Sequence, residues 1–113
     1  MSKNSTNDEC IVVYGMHIAG IEGGKPREQA TVTSVPGKLT IGVAGRTIDL
    51  FDSEILSVTI PTDVEVHRGL FKKKKTVWYM SITYNREETC HCIFIRLDGV
   101  STEANAIASR HNQ

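Results

Sequence analysis

Lys72, Lys73, Lys74 and Lys75 form the densest run of like charge in this chain, and they follow Arg68 and the apolar pair Leu70 and Phe71. Four ammonium groups beside two large apolar side chains suit an anionic lipid surface. The apolar pair would enter the acyl boundary, and each lysine near the headgroups would contribute about 1 kcal/mol. The plainer reading is a solvated hairpin tip that keeps a sheet edge soluble. A second cluster, Cys90-His91-Cys92, has the right ligand types for a metal. On a strand, however, the two sulfurs point one way and the imidazole the other, whereas zinc takes four converging ligands. No metal is expected there, and the thiols are expected to pack as small buried groups under a helix. His17, His67, His91 and His111 are scattered, with no acidic residue at a recognisable relay spacing and no nucleophile elbow. The glycines of Gly20 to Gly24 and Gly42 to Gly45 precede no helical pattern, so they read as turns, not phosphate cradles. Neither catalysis nor a cofactor is expected.

The elements that would position these residues are strands. Thr76 to Tyr84 alternates, with Trp78, Met80, Ile82 and Tyr84 on one face and Val77, Tyr79, Ser81 and Thr83 on the other. Trp78 and Tyr79 therefore lie on opposite faces, and an aromatic left partly exposed there is a candidate interface residue. Asn85 to Glu88 is a polar hairpin loop, and Thr89 to Leu97 is the return strand. Asp98-Gly99 ends it. From Val100 the period changes to about 3.6, with Val100, Ala104, Ile107 and Ala108 on one apolar stripe of a C-terminal helix.

Upstream, Met1 to Glu9 is polar and aperiodic, an expected disordered lead-in to a single domain over residues 10–113. Cys10 to Ile21 reads as the first strand, with Gly15 marking a bend or bulge. The loop Glu22 to Arg27 carries Lys25 and Arg27. Ala30 to Val35 and Lys38 to Val43 flank Pro36-Gly37. Arg46 to Leu50 follows the turn Ala44-Gly45, with Ile48 and Leu50 inward. Ile55 to Val66 places Leu56, Val58 and Ile60 on one face and is interrupted at Pro61. Six or seven short strands at this spacing predict an antiparallel barrel or sandwich, its end sealed by a slim helix.

Composition narrows function more than it identifies it. One domain fits 113 residues, and 13 basic residues balance 13 acidic ones, so no global field recruits nucleic acid. Three cysteines, two of them on one strand, argue against a disulfide scaffold and for a cytoplasmic setting. The apolar run Ile11 to Ile21 is too short to span a bilayer.

Gly37 to Ile41, Ile48 to Val58 and Phe94 to Asp98 running into the helix resemble the pleckstrin-homology-like superfamily, particularly its small bacterial and GRAM-type members. The resemblance covers roughly residues 30–110 and rests on pattern. It implies a bent, mainly β, antiparallel barrel of six or seven strands capped by one C-terminal α-helix, and binding in place of catalysis. Lipid-binding members carry a lysine on the first strand and a Lys/Arg-x-Arg on the second; Lys25 and Arg27 match only half of that. The expected function is thus a non-enzymatic binding or scaffolding module. A protein partner or a second copy would engage a sheet edge or the helix-side groove. The alternative is a peripheral membrane adaptor using Arg68 to Lys75.

Overall fold

The computed structural model describes residues 9–23, 25, 27–67, 73–99 and 101–112, with 63–67 and 73–75 described at the backbone level. The expected lead-in, apart from Glu9, lies outside the described residues, as does Val100.

The described chain runs β1 (Ile11–Ala19), β2 (Gln29–Val35), β3 (Lys38–Val43), β4 (Arg46–Phe51), β5 (Ile55–Thr59), β6 (Thr62–His67), β7 (Lys73–Arg86), β8 (Thr89–Leu97) and α1 (Thr102–His111). All pairings are antiparallel, in the order β4-β3-β2-β1-β8-β7-β5, with β6 also on β7. β5 and β6 share one lane, interrupted at Ile60-Pro61, so eight strands make seven lanes. Proline cannot donate to a ladder, and the break falls where it is placed.

Period-two alternation sets the inner face. Leu39, Ile41 and Val43 of β3, Met80, Ile82 and Tyr84 of β7, and Ile93, Ile95 and Leu97 of β8 are buried in one cluster with Ala104 and Ile107 of α1. A flat sheet would hold β4 and β7 five lanes apart, about 24 Å. Yet Arg86 Nη2 of β7 donates to the Asp49 carbonyl of β4 at 2.6 Å. The sheet therefore curls until its first and sixth lanes approach, and it does so without a ladder between them. The barrel that the pattern predicts is an open one.

Two expectations are corrected by bulges. Gly15 is not a bulge: the β1–β8 register shifts between His17 and Ala19. At Gly15 a Cβ would stand 2.5 Å from the Arg96 carbonyl oxygen, so glycine there permits the close approach of β8. In β5 the register with β7 shifts between Ile55 and Ser57. Ile55 and Val58 both turn inward, while Leu56, expected beside Val58, is exposed. A bulge inverts the alternation that the sequence alone displays.

α1 opens at Ser101, whose Oγ accepts from Ala104 N at 3.1 Å, and ends with Arg110 and His111 in its last turn. It rests against β5 and β1. Ala104 and Ile107 are buried as expected, and Ala108 is half-buried. The third buried residue is His111, which the apolar stripe did not include.

The β7–β8 turn is tighter than the expected four-residue loop. Asn85 and Arg86 are paired within the ladder, and the two turning residues are Glu87 and Glu88, with φ of 54° and 64°. A two-residue hairpin needs two left-handed residues, which L side chains adopt at about 1 kcal/mol or more each. Replacing Glu87-Glu88 by Asn-Gly should raise stability by about 1–2 kcal/mol in urea unfolding; no gain would mean that the turn is relaxed.

Candidate functional site

The curl leaves a seam between β4 and the end of β7, and the chemistry-capable residues gather along it. In the β3–β4 hairpin the turning residues Ala44 and Gly45 both have positive φ, so Val43 and Arg46 close the turn. Antiparallel alternation then directs the peptide groups of Ile48 and Leu50 toward β3, and those of Thr47, Asp49 and Phe51 away from it. Phe51 is satisfied by the next turn: its N–H donates to Glu54 Oε1 at 3.1 Å, and its carbonyl accepts from Glu54 N at 2.7 Å. The Asp49 carbonyl is taken by Arg86. Among the described residues, the Thr47 peptide groups and the Asp49 N–H have no such partner.

Arg86 is the clamp across the seam. Its Nε and Nη2 donate to the two oxygens of Glu54 at 2.9 and 3.0 Å, and its guanidinium lies 5.8 Å from the Tyr84 ring centre. The Arg86 hydrogen bonds, and then that from the Phe51 N–H, hold the Glu54 carboxyl below its ordinary value of 4.5. Burial pushes the Tyr84 phenol above 10.0, against the opposing charge of Arg86.

Beside this clamp lies a groove of about 740 Å³. Thr47 and Ile48 form one wall, Tyr84 and His91 the other, and Ile21 closes the end. Tyr84 and His91 are directly cross-strand, with rings stacked at 5.1 Å. The loop above is held by His17, which is buried. Its Nδ1–H donates to the Lys25 carbonyl at 2.9 Å, and its Nε2 accepts from Ile21 N at 3.2 Å.

A second fastener joins the end of α1 to β2 and to the β4–β5 turn. His111 Nδ1 donates to Asp52 Oδ1 at 2.7 Å, because a carboxylate can only accept. Its Nε2 lies 2.6 Å from Ser34 Oγ, within hydrogen-bond distance. Arg110 Nη1 donates to the same Oγ at 3.1 Å and to the Ser34 carbonyl at 3.2 Å. The sequence showed no such relay, since its members are 77 and 59 residues apart. Ser, His and Asp stand in the order of a hydrolytic triad, but Ser34 and His111 are both fully buried. No acyl group can reach that oxygen, so the array ties α1 to β2 and to the β4–β5 turn.

The residues singled out from the sequence are dispersed. Arg68, Leu70, Phe71 and Lys72 lie outside the described residues. Lys73, Lys74 and Lys75 pair with His67, Val66 and Glu65 on a two-stranded ribbon that runs beyond the end of β8. Lys25 and Arg27 are exposed in the β1–β2 loop. Trp78 packs against the core, while Tyr79 stacks on Phe94 at 5.5 Å on the outer face, so the two rings form no common patch. Cys90 and Cys92 are exposed, not buried beneath the helix, because β8 turns Ile93, Ile95 and Leu97 inward. Among the described residues no group of three His, Cys, Asp or Glu could hold a metal ion, and no helix is long and apolar enough to cross a membrane.

Comparison with protein-family models gives no match, and neither does comparison with curated proteins or with solved structures.

The Glu54–Arg86 pair yields a signed pH dependence. A carboxyl whose folded pKa is depressed contributes stability above its unfolded value, near 4.5, and loses it as pH falls through the folded value. Glu54→Gln should therefore unfold more easily than the wild type at neutral pH, and the gap should close below about pH 4. A gap that is constant with pH, followed by urea midpoints, would remove the pair from the account.

Proposed function

We propose that this chain is a non-enzymatic binding module that takes an extended segment of a protein partner onto the free edge of β4. The observation that carries the reading is the pair of Thr47 peptide groups, directed away from β3 into the groove. A sheet edge with unpaired peptide groups is a template for one more strand, and alternate side chains of the added strand would find pockets. The Tyr84–His91 stack and Ile21 offer apolar contact, and the Arg46 side chain, exposed beside Gly23, offers a charge. Three backbone hydrogen bonds at about 1 kcal/mol each, plus this apolar contact, suit a micromolar partner.

Seven lanes with one closing C-terminal helix support the pleckstrin-homology-like resemblance, and the burial of Ser34 and His111 supports binding over hydrolysis. A second reading, a peripheral adaptor on anionic lipid, is favoured by the β6–β7 ribbon, which carries Lys73, Lys74 and Lys75 past the body of the sheet.

Thr47→Pro separates these readings. It removes only an N–H that points away from β3, at an edge position where proline is tolerated, so the fold should survive. Peptides selected from a displayed library on the wild-type chain should lose about tenfold or more in affinity to the variant, with an unchanged melting temperature. Failure to select any peptide, or equal binding by both chains, would end the strand-acceptor reading. Cosedimentation with phosphatidylserine vesicles that is lost when Lys73, Lys74 and Lys75 become Gln would favour the adaptor.

A further inference from the structure

The outer face of the sheet should be polar where it meets water, and on β2 and β3 it is so apart from Val35: Thr31, Thr33, Lys38 and Thr40 face outward there. β1, the central lane of the seven, departs from this. Val12, Tyr14 and Met16 project outward in succession, 38%, 58% and 37% exposed. On the far side of Arg96 the same outer face carries the stacked Tyr79 and Phe94. Scattered exposed apolar residues are ordinary, but a contiguous row in the middle of a sheet is the mark of an interface.

Charges around the stripe are arranged by sign. At the Met16 end stand Arg96, directly cross-strand from Met16, and Arg27, exposed beside it. At the Val12 end stand Asp98, next in line on β8 beyond the Gly15–Leu97 pair, and Glu103 of the first helical turn, both exposed. One end is basic, the other acidic, and the apolar row lies between.

We infer that this face associates with a second copy of itself about a two-fold axis crossing β1 near Gly15. Such an axis lies in the interface and reverses the strand direction while keeping each lane over its own counterpart. Tyr14 then meets Met16 of the second copy, a favourable sulfur–aromatic pairing. Asp98 comes over Arg96, and Glu103 comes toward Arg27, each contact occurring twice. A surface whose charges are antisymmetric about its centre complements itself, whereas a partner of different sequence would have to match the pattern independently. The apolar row spans only about 13 Å, four residues at about 3.3 Å each. It is smaller than the standard footprint of about 800 Å² per partner, so the rim supplies the rest and the dimer is concentration-dependent. This face is separate from the β4 groove and does not rest on its function.

Sedimentation velocity over a concentration series of the full chain tests it. The wild type should pass from monomer to dimer, and Tyr14→Arg should remain monomeric with an unchanged melting temperature. Arg27→Glu and Glu103→Arg should each weaken dimerisation about tenfold, and the double variant should recover most of that loss, because each position faces the other across the axis. A wild type that stays monomeric up to millimolar concentration overturns the inference. So does a dimer indifferent to Tyr14→Arg, as one formed through β4 would be, or a double variant no better than the singles.

Discussion

A strand with no neighbour on one side must still place its outward peptide groups, and that requirement shapes a whole flank of this molecule. β4 and β7 are drawn together by the curl of the sheet but share no ladder. Outward peptide groups of β4 are instead met by side chains: Arg86 on the Asp49 carbonyl and Glu54 on the Phe51 N–H. Backbone hydrogen-bonding groups are rarely left over in folded chains, and these fasteners follow that rule. The stretch at Thr47 departs from it, and the groove opens there.

A second fastener, the Ser34–His111–Asp52 array, explains how a short helix stays in place. α1 buries two apolar side chains, Ala104 and Ile107, and a ten-residue helix has little stability of its own. His111 adds a buried polar anchor satisfied on both ring nitrogens, and Arg110 ties the same turn to Ser34. The cost of burying an imidazole is offset only because each nitrogen finds its partner, so the array also fixes where the helix ends. The groove itself is bordered by the clamp, through Arg86, and not by this array.

Much of the fold was legible in the sequence. Alternation located β3, β4 and β8 almost to the residue, whereas β7 runs three residues earlier and two later than the expected Thr76 to Tyr84. The bulge of β1 was expected at Gly15 and lies between His17 and Ala19, and the face of Leu56 in β5 was misread, since a bulge adds a residue without leaving a mark in the composition. The seam and the array were not legible at all. His111, Ser34 and Asp52 are brought together by topology across more than fifty residues, and Arg86 reads as a loop arginine until the curl sets it opposite Asp49. The exposed cysteines were missed for a related reason: alternation says which residues share a face, but only the assembled sheet says which face is inside.

The central claim is that β4 is an edge whose outward peptide groups at Thr47 and Asp49 are open. Amide hydrogen exchange of the free chain, resolved residue by residue by NMR, measures this directly. The account predicts alternation along β4, with Ile48 and Leu50 strongly protected by β3 and with Thr47 and Asp49 exchanging orders of magnitude faster. Uniform protection from Thr47 to Leu50 would show that another strand already lies along the edge, and would contradict the account.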